Sequence, residues 1–308
     1  VAKLTNFGKP AAGAVGRFAP SPSGPLHFGS LLAAVGSYLF TKRQAGKWLL
    51  RIEDIDTPRV RSGADSAIMA ALEQHGLLWD DAVMYQSTRT ERYREIFSQL
   101  QRQRLLYGCQ CSRKQINADG GVYPGTCANL NLLQTNSHTG PLSWRLRTAK
   151  VASQFEDILL GLQRIAPALA HEDYIVLRRD GLFSYQLAVV VDDWDQGITE
   201  VIRGADLLSM TPRQQHLFTL LGAQAPVYGH LPLAVTAPGQ KLSKQNHATA
   251  LNNWPASYTM ASALAILGLP LPAELRHAPA PEQLAYALLH WQPADIPATL
   301  EVLATNFG

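Results

Sequence analysis

The sequence predicts an α/β protein organised around a parallel sheet. The decisive observation begins at Val15. A short apolar run, a Pro/Ser/Gly turn, a segment with helical apolar spacing and a second apolar run follow one another. Two strands joined by a crossover of that length form a right-handed βαβ unit and lie parallel. Composition agrees: 46% of the 308 residues are hydrophobic and 17% charged. That suffices for one large core or two smaller ones and is too little charge for a solvated, unfolded chain. The tetrapeptide TNFG stands at 5–8 and again at 305–308, which is no repeat architecture.

The elements follow in order. Residues 1–14 are small, Gly/Pro-rich and unpatterned, and are expected to be a flexible leader. VGRFAP reads as a buried strand running into the turn SPSGP. HFGSLLAAVGSYLFTKRQ, with Leu31, Leu32, Val35, Leu39 and Phe40 on one face, predicts a helix. WLLRIED predicts a strand ending in two carboxylates. Helices are expected over 63–76 and 90–106. Residues 107–130 hold all three cysteines and little periodicity, and read as an insertion. SWRLR, YIVLRRDGLFSY and TEVIRGADLL predict strands and turns. LAVVVDDW is apolar enough for a buried strand or a buried helix. TPRQQHLFTLLG has the pattern of a helix with a Thr N-cap and Pro in its first turn. PVYGHLPLAV reads as the last strand, followed by amphipathic helices near 257–267, 281–291 and 295–304.

Whole classes of function drop out. No apolar run reaches the ~18 residues of a membrane span, and VAKLTNFGKPAAGAVG has no signal-peptide pattern. Three cysteines cannot make a disulfide framework. A cytoplasmic protein with no membrane partner is expected. A net charge of +3 permits a polyanionic partner without requiring one.

Three clusters carry chemistry. In GRFAPSPSGPLHFGS, a strand exits into a turn and His27 and Gly29 open a helix. A helix N-terminus presents unpaired N–H groups and partial positive charge to a phosphate; the plain alternative is an ordinary strand–turn–helix. In KLSKQ, Lys241 and Lys244 can wrap a triphosphate, or line a solvated basic loop. In CQCSRKQINADGGVYPGTC, Cys109, Cys111 and Cys127 can supply thiolates to a tetrahedral Zn²⁺, or be three buried free thiols. No histidine lies between 109 and 127. His75, His138, His171 and His230 show no metal spacing and read as structural or surface residues.

Taken together, HFGS and KLSKQ resemble the HIGH and KMSKS signatures of class I aminoacyl-tRNA synthetases. GRFAPSPSGPLHFGS, RIEDIDTPR, VIRGADLL and HLPLAV…KLSKQ, in that order, resemble the glutamyl branch from about Gly16 to His247. The resemblance implies a Rossmann-type catalytic domain over 15–250, with a zinc-bearing insertion near 107–130 and a short helical region over 251–308. It implies ATP-dependent activation of L-glutamate to glutamyl-adenylate, with Mg²⁺ accompanying ATP. Arg17, Phe18, Ala19, Pro20, Ser21, Glu53, Tyr185 and Arg203 match the glutamate pocket. For Arg17, Glu53 and Arg203 the alternative is a surface ion pair, and Tyr185 could equally be core. His27, Gly29, Ser30 and Lys244 match ATP-binding positions, and His27, Gly29, Lys241 and Lys244 the catalytic set. HFGS departs from HIGH in placing Ser30 at the second histidine. Tyr123 resembles the third ligand of a Cys-Cys-Tyr-Cys site in some glutamyl-branch enzymes, implying one structural Zn²⁺ on Cys109, Cys111, Tyr123 and Cys127.

The acceptor is read from length. Only Asn246 to Gly308 follow KLSKQ, too little for an anticodon-binding module beside stem-contacting helices. The family includes a short form that joins glutamate to queuosine in the anticodon of tRNA(Asp). KLSKQ, with Gln245 in the last position, and the compact CxC insert resemble that form. The expected partners are therefore ATP, L-glutamate and queuosine-bearing tRNA(Asp), and the expected state is a monomer. The alternatives are the catalytic half of a synthetase charging the tRNA 3′ end, and a non-catalytic binding module with a degenerate synthetase fold. The second of these predicts a damaged catalytic set, yet every member is present.

Overall fold

The structure, a computed structural model, describes residues 13–118, 120–130, 132, 141–148, 151–242 and 249–307. Most of the expected leader, His138 and Ser243–Ala248 therefore lie outside the described residues. The chain opens with β1 (Val15–Phe18), α1 (Phe28–Arg43), β2 (Lys47–Ile52), α2 (Ala64–Gln74), β3 (Met84–Tyr85) and α3 (Thr90–Arg102). The middle contributes β4 (Leu106–Cys109), α4 (Arg113–Ala118), β5 (Ser143–Leu146), the hairpin β6 (Gln154–Asp157) and β7 (Gly161–Arg164), α5 (Pro167–Ala170) and β8 (Tyr174–Leu177). Then come α6 (Tyr185–Asp195), β9 (Glu200–Gly204), α7 (Thr211–Leu220), β10 (Val227–Leu231), β11 (Leu233–Ala237) and β12 (Gln240–Lys241). α8 (Ala256–Ile266), α9 (Ala280–His290) and β13 (Glu301–Leu303) close the order.

The expected parallel sheet is present. β1 pairs in parallel with β2, from Val15 opposite Lys47 to Phe18 opposite Leu50, and β2 pairs in parallel with β3. β9 pairs in parallel with β10, and β10 with β6. The two groups meet where β1 runs beside β9, and Thr199 N–H donates to Val15 O at 2.9 Å. The spatial order is then β3-β2-β1-β9-β10-β6-β7, so the chain runs outward from the β1/β9 seam in opposite directions, through β2 and β3 on one side and to β10 on the other. Open α/β sheets bind ligands at the carboxyl ends of the strands flanking such a seam.

Packing holds the seam tightly. α1 lies between the sheet and the pair α8/α9, with Leu31, Leu32, Val35 and Leu39 buried in one core. A Cβ on Gly16 would stand 2.0 Å from Thr41 Oγ1, so β1 approaches α1 this closely only as glycine. A second core joins α3, α6 and α7 to the antiparallel sheet β4-β5-β8, through Tyr93, Leu187, Val190 and Leu217.

One open alternative is settled and several expectations are corrected. LAVVVDDW is helical: Ser184 caps α6 by accepting Leu187 N–H at 3.4 Å, and Leu187 through Asp193 are all buried. The helix expected over 90–106 stops at Arg102, because Arg104 turns left-handed at φ 58° and Leu106 begins β4. Thr211 is the first helical residue of α7, not its cap, and its hydroxyl serves a guanidinium described below. PVYGHLPLAV is neither one strand nor the last. It breaks at Pro232, which has no N–H to give a ladder, and β12 and β13 follow. The helix expected over 295–304 is absent. The free edge of β11 takes β13 as a parallel partner, from Leu233 opposite Glu301 to Val235 opposite Leu303. The second TNFG has a physical role: Phe307 stacks on Phe28 with ring centroids 3.8 Å apart. The first lies outside the described residues. Among those described, no helix is long and apolar enough to cross a membrane.

Candidate active site

A cleft of about 830 Å³ opens at the carboxyl ends of β1, β2, β9 and β10. It gathers every described residue expected for glutamate, ATP or catalysis: Arg17, Phe18, Ala19, Pro20, Ser21, His27, Gly29, Ser30, Glu53, Tyr185, Arg203 and Lys241. Lys244 lies outside the described residues. Both ends of its loop are placed: Leu242 is buried, Ala250 bridges to His27, and Leu251 N–H donates to Leu26 O at 2.8 Å. Leu242 and Ala250, the described residues nearest Lys244 on either side that touch this turn, thus both lie against HFGS.

His27 is the N-cap of α1. Its Nδ1 accepts Ser30 N–H at 3.2 Å, and its Nε2 lies 3.1 Å from Ser30 Oγ. An accepting Nδ1 leaves the proton of the neutral ring on Nε2. Ser30, which departs from the family motif, thus orients His27. A Cβ on Gly29 would stand 3.2 Å from both His27 Nδ1 and Leu242 O, so this turn leaves room for glycine alone without displacement. Lys241 pairs with Asp206 on the cleft wall.

The floor of the cleft is a buried charge network. Arg17 donates from Nε and Nη2 to the two carboxylate oxygens of Asp193, at 3.0 and 3.3 Å. Arg51, fully buried, donates to Asp193 Oδ1 at 2.6 Å and to Gln196 Oε1 at 2.7 Å. Its Nε lies 3.7 Å from Glu53 Oε1. Asp193 is held below the ordinary carboxylate range by these two arginines, against the opposing effect of its burial. Glu53 goes the other way. Burial raises its pKa from 4.5 to about 7, and Arg51 and Arg17 offset only part of that. Its Oε1 is buried without a hydrogen-bond partner, the Arg51 guanidinium standing just beyond hydrogen-bond reach. Tyr185, first residue of α6, is held protonated by burial.

Arg203 sits across the seam on β9. It donates to His230 Nε2 at 3.1 Å, Gln214 Oε1 at 2.7 Å, Thr211 Oγ1 at 2.8 Å and Leu207 O at 3.2 Å. Asp193, Arg51, Gln214 and His230 were not foreseen as parts of the site. One signal was available for the first: two carboxylates ending the apolar run LAVVVDDW must find cations if the run is buried.

Away from the cleft, the thiols of Cys109, Cys111 and Cys127 lie within 4.8 Å of one another. Cys111 and Cys127 sulfurs are 3.6 Å apart, too far for a disulfide and close to the ~3.8 Å edge of a tetrahedron with ~2.3 Å zinc–sulfur bonds. Tyr123 belongs to the same buried cluster, and its phenolic oxygen accepts Cys127 N–H at 2.8 Å. The three thiols are placed so that they could hold a metal ion.

The catalytic-domain family of class I tRNA synthetases (E and Q) matches residues 14–262. The chain belongs to this family. Among individual relatives, glutamyl-Q tRNA(Asp) synthetase of Serratia proteamaculans is 51% identical over 285 residues, covering 92% of each chain. The protein of that name from Pectobacterium atrosepticum is 48% identical over 95% of this chain and 89% of its own length. That from Vibrio vulnificus is 49% identical over 94% and 93%. The fold is also that of glutamate-tRNA synthetase from Elizabethkingia anophelis, with a TM-score of 0.75, 24% identity, and coverage of 95% of this chain and 68% of that one. In this class I synthetase domain, the seam cleft is lined by His27, Gly29 and Ser30 of HFGS and by Lys241 and Leu242 of KLSKQ.

Proposed function

We infer that this chain is an ATP-dependent ligase that activates L-glutamate as glutamyl-adenylate and transfers the glutamate to queuosine in the anticodon of tRNA(Asp). The observation that carries the reading is the 51% identity, across 92% of both chains, to a relative named glutamyl-Q tRNA(Asp) synthetase. The chemistry of the cleft supports it. An acidic amino acid brings two carboxylates and one ammonium, and the cleft offers Arg17, Arg203 and a Glu53 oxygen that accepts no hydrogen bond.

In the proposed reaction, a glutamate α-carboxylate oxygen attacks the α-phosphorus of ATP and the bond to pyrophosphate breaks. Arg17 and Arg203 hold the substrate carboxylates and Glu53 receives the ammonium. Tyr185 walls the pocket, with the backbone of Phe18, Ala19, Pro20 and Ser21 beneath. His27, Gly29 and Ser30 cradle the nucleotide at the N-terminus of α1. Lys241 exchanges Asp206 for phosphate, and Lys244 stabilises charge developing on the leaving group. Mg²⁺ bound with ATP would neutralise part of the phosphate charge. No nucleophilic side chain is needed, since positioning and electrostatics suffice. Residues 15–250 form the catalytic unit in this reading. Cys109, Cys111, Tyr123 and Cys127 hold one structural Zn²⁺ that staples the insertion near 107–130.

The test is incorporation of labelled glutamate, with ATP and Mg²⁺, into three RNAs: tRNA(Asp) with queuosine, the same tRNA without it, and tRNA(Glu). Label only on the queuosine-bearing RNA supports the reading. Label on tRNA(Glu) replaces it with 3′-end charging. No label, and no glutamate-dependent pyrophosphate exchange, removes the ligase reading altogether.

A further inference from the structure

Three buried arginines at and beneath the seam, Arg17, Arg51 and Arg203, are held in two different ways. Arg17 and Arg51 share the carboxylate of Asp193, so most of their charge is spent on the protein. Arg203 has four of the five N–H groups of a guanidinium engaged, all by neutral acceptors: an imidazole, an amide, a hydroxyl and a carbonyl. Among the described residues, no carboxylate pairs with it. It lines the cleft while only 5% exposed, carrying its full charge into a desolvated wall.

The imidazole is the informative member. His230 can accept from Arg203 Nε only through an unprotonated Nε2, so the ring proton resides on Nδ1, which donates to Asp157 Oδ2 at 2.5 Å. Asp157 is itself fixed, with Oδ1 accepting N–H groups of Leu159 and Leu160 at 2.9 and 3.0 Å. His230 and Asp157 are 0% and 2% exposed. Burial and the adjacent guanidinium favour the neutral ring, while Asp157 opposes them; the net direction is below the ordinary histidine range. A direct Asp157–Arg203 pair would orient the guanidinium equally well but would neutralise it. A neutral ring between them passes on the orientation and withholds the negative charge.

We propose that Asp157 and His230 are positioning residues for substrate selection: His230, locked as the Nδ1–H tautomer by Asp157, aims Arg203 into the cleft as an uncompensated cation that selects an acidic over an amide side chain. The proposal rests on the glutamate reading above. Neither residue touches substrate; both act through Arg203.

The experiment is pyrophosphate exchange with the full chain, giving kcat and KM for glutamate and for ATP, and kcat/KM for glutamate against glutamine. The variants are His230→Phe, which keeps the ring shape and loses the side-chain hydrogen bonds with Arg203, Thr211 and Asp157, and His230→Gln, whose amide can accept from Arg203 and donate to Asp157. Removing a buried hydrogen bond to a charged group corresponds to about tenfold or more. His230→Phe is therefore expected to raise KM for glutamate by that factor, to leave KM for ATP within about twofold, and to lower the glutamate/glutamine ratio. His230→Gln is expected to recover most of both effects. Equal rises in both KM values, or an unchanged glutamate/glutamine ratio, would overturn the proposal. If His230→Phe does not fold, His230→Gln and Asp157→Asn carry the same comparison, and a folded Asp157→Asn with unaltered selectivity also overturns it. Absence of glutamate-dependent exchange in the unmodified protein would instead refute the functional reading beneath it.

Discussion

Glu53 makes glutamate binding depend on pH in a calculable direction. Its pKa rises from 4.5 to about 7, chiefly through burial. Between those values the folded chain holds a proton that the unfolded chain has released. This protonation stabilises the fold fully below pH 4.5 and is lost as pH climbs towards 7. At ~1.4 kcal/mol per unit, ionised Glu53 costs the empty protein about 3 kcal/mol. A substrate ammonium seated against the carboxylate recovers part of that cost, but only once Glu53 is ionised. KM for glutamate in pyrophosphate exchange should therefore fall about tenfold per unit as pH rises towards 7, and level off above it. Thermal stabilisation by saturating glutamate should be larger at pH 8 than at pH 6. Glu53→Gln should bind glutamate weakly at every pH and lose the slope. A flat KM between pH 5.5 and 8 in the unmodified protein, or a slope that survives Glu53→Gln, would refute the reasoning.

Other outcomes follow from the same geometry. Asp193→Asn leaves two buried guanidiniums without their shared anion, a change of the kind that costs about 3–5 kcal/mol, so a clear drop in the denaturant midpoint at unchanged slope is expected; an unshifted midpoint would mean the network is not formed. Lys244→Ala should slow pyrophosphate exchange by roughly 10²–10³-fold, as for loss of one transition-state donor, with KM for glutamate little changed; unaltered exchange would remove Lys244 from the reaction. About one zinc per chain is expected by elemental analysis, with Cys111→Ser losing the metal and melting lower; purified protein without zinc would sink the metal assignment.

Much of the site was legible because the chemistry sits in short, contiguous strings. Strand–turn–helix punctuation places His27 and Gly29 at a helix start, and WLLRIED puts Glu53 at a strand end. The structure brings these together with Arg203 and Lys241 in one cleft. Elements failed where tertiary context overrode local pattern. The apolar run of α6 was ambiguous because a helix buried all round has no periodic face. Residues 295–304 have helical apolar spacing, yet Glu301–Leu303 pair with an open sheet edge. Thr211 has the sequence of an N-cap, but its hydroxyl is spent on Arg203.

By itself, the sequence determined the α/β class, the helix-opening turn at His27 and Gly29, the cysteines of the thiol cluster and several of the charged groups that line the cleft. These depend on residue types within a few positions of one another, where backbone geometry is nearly fixed. Only the tertiary structure decided which charges are spent and which remain available. Asp193 lies 176 residues from Arg17 in the chain, and Asp157 lies 73 from His230. Nothing local specifies either pairing. In a desolvated cleft those pairings set the chemistry: Arg17 carries a counter-ion, Arg203 is held among the described residues by neutral groups, and Glu53 titrates near neutrality because burial outweighs the arginines beside it.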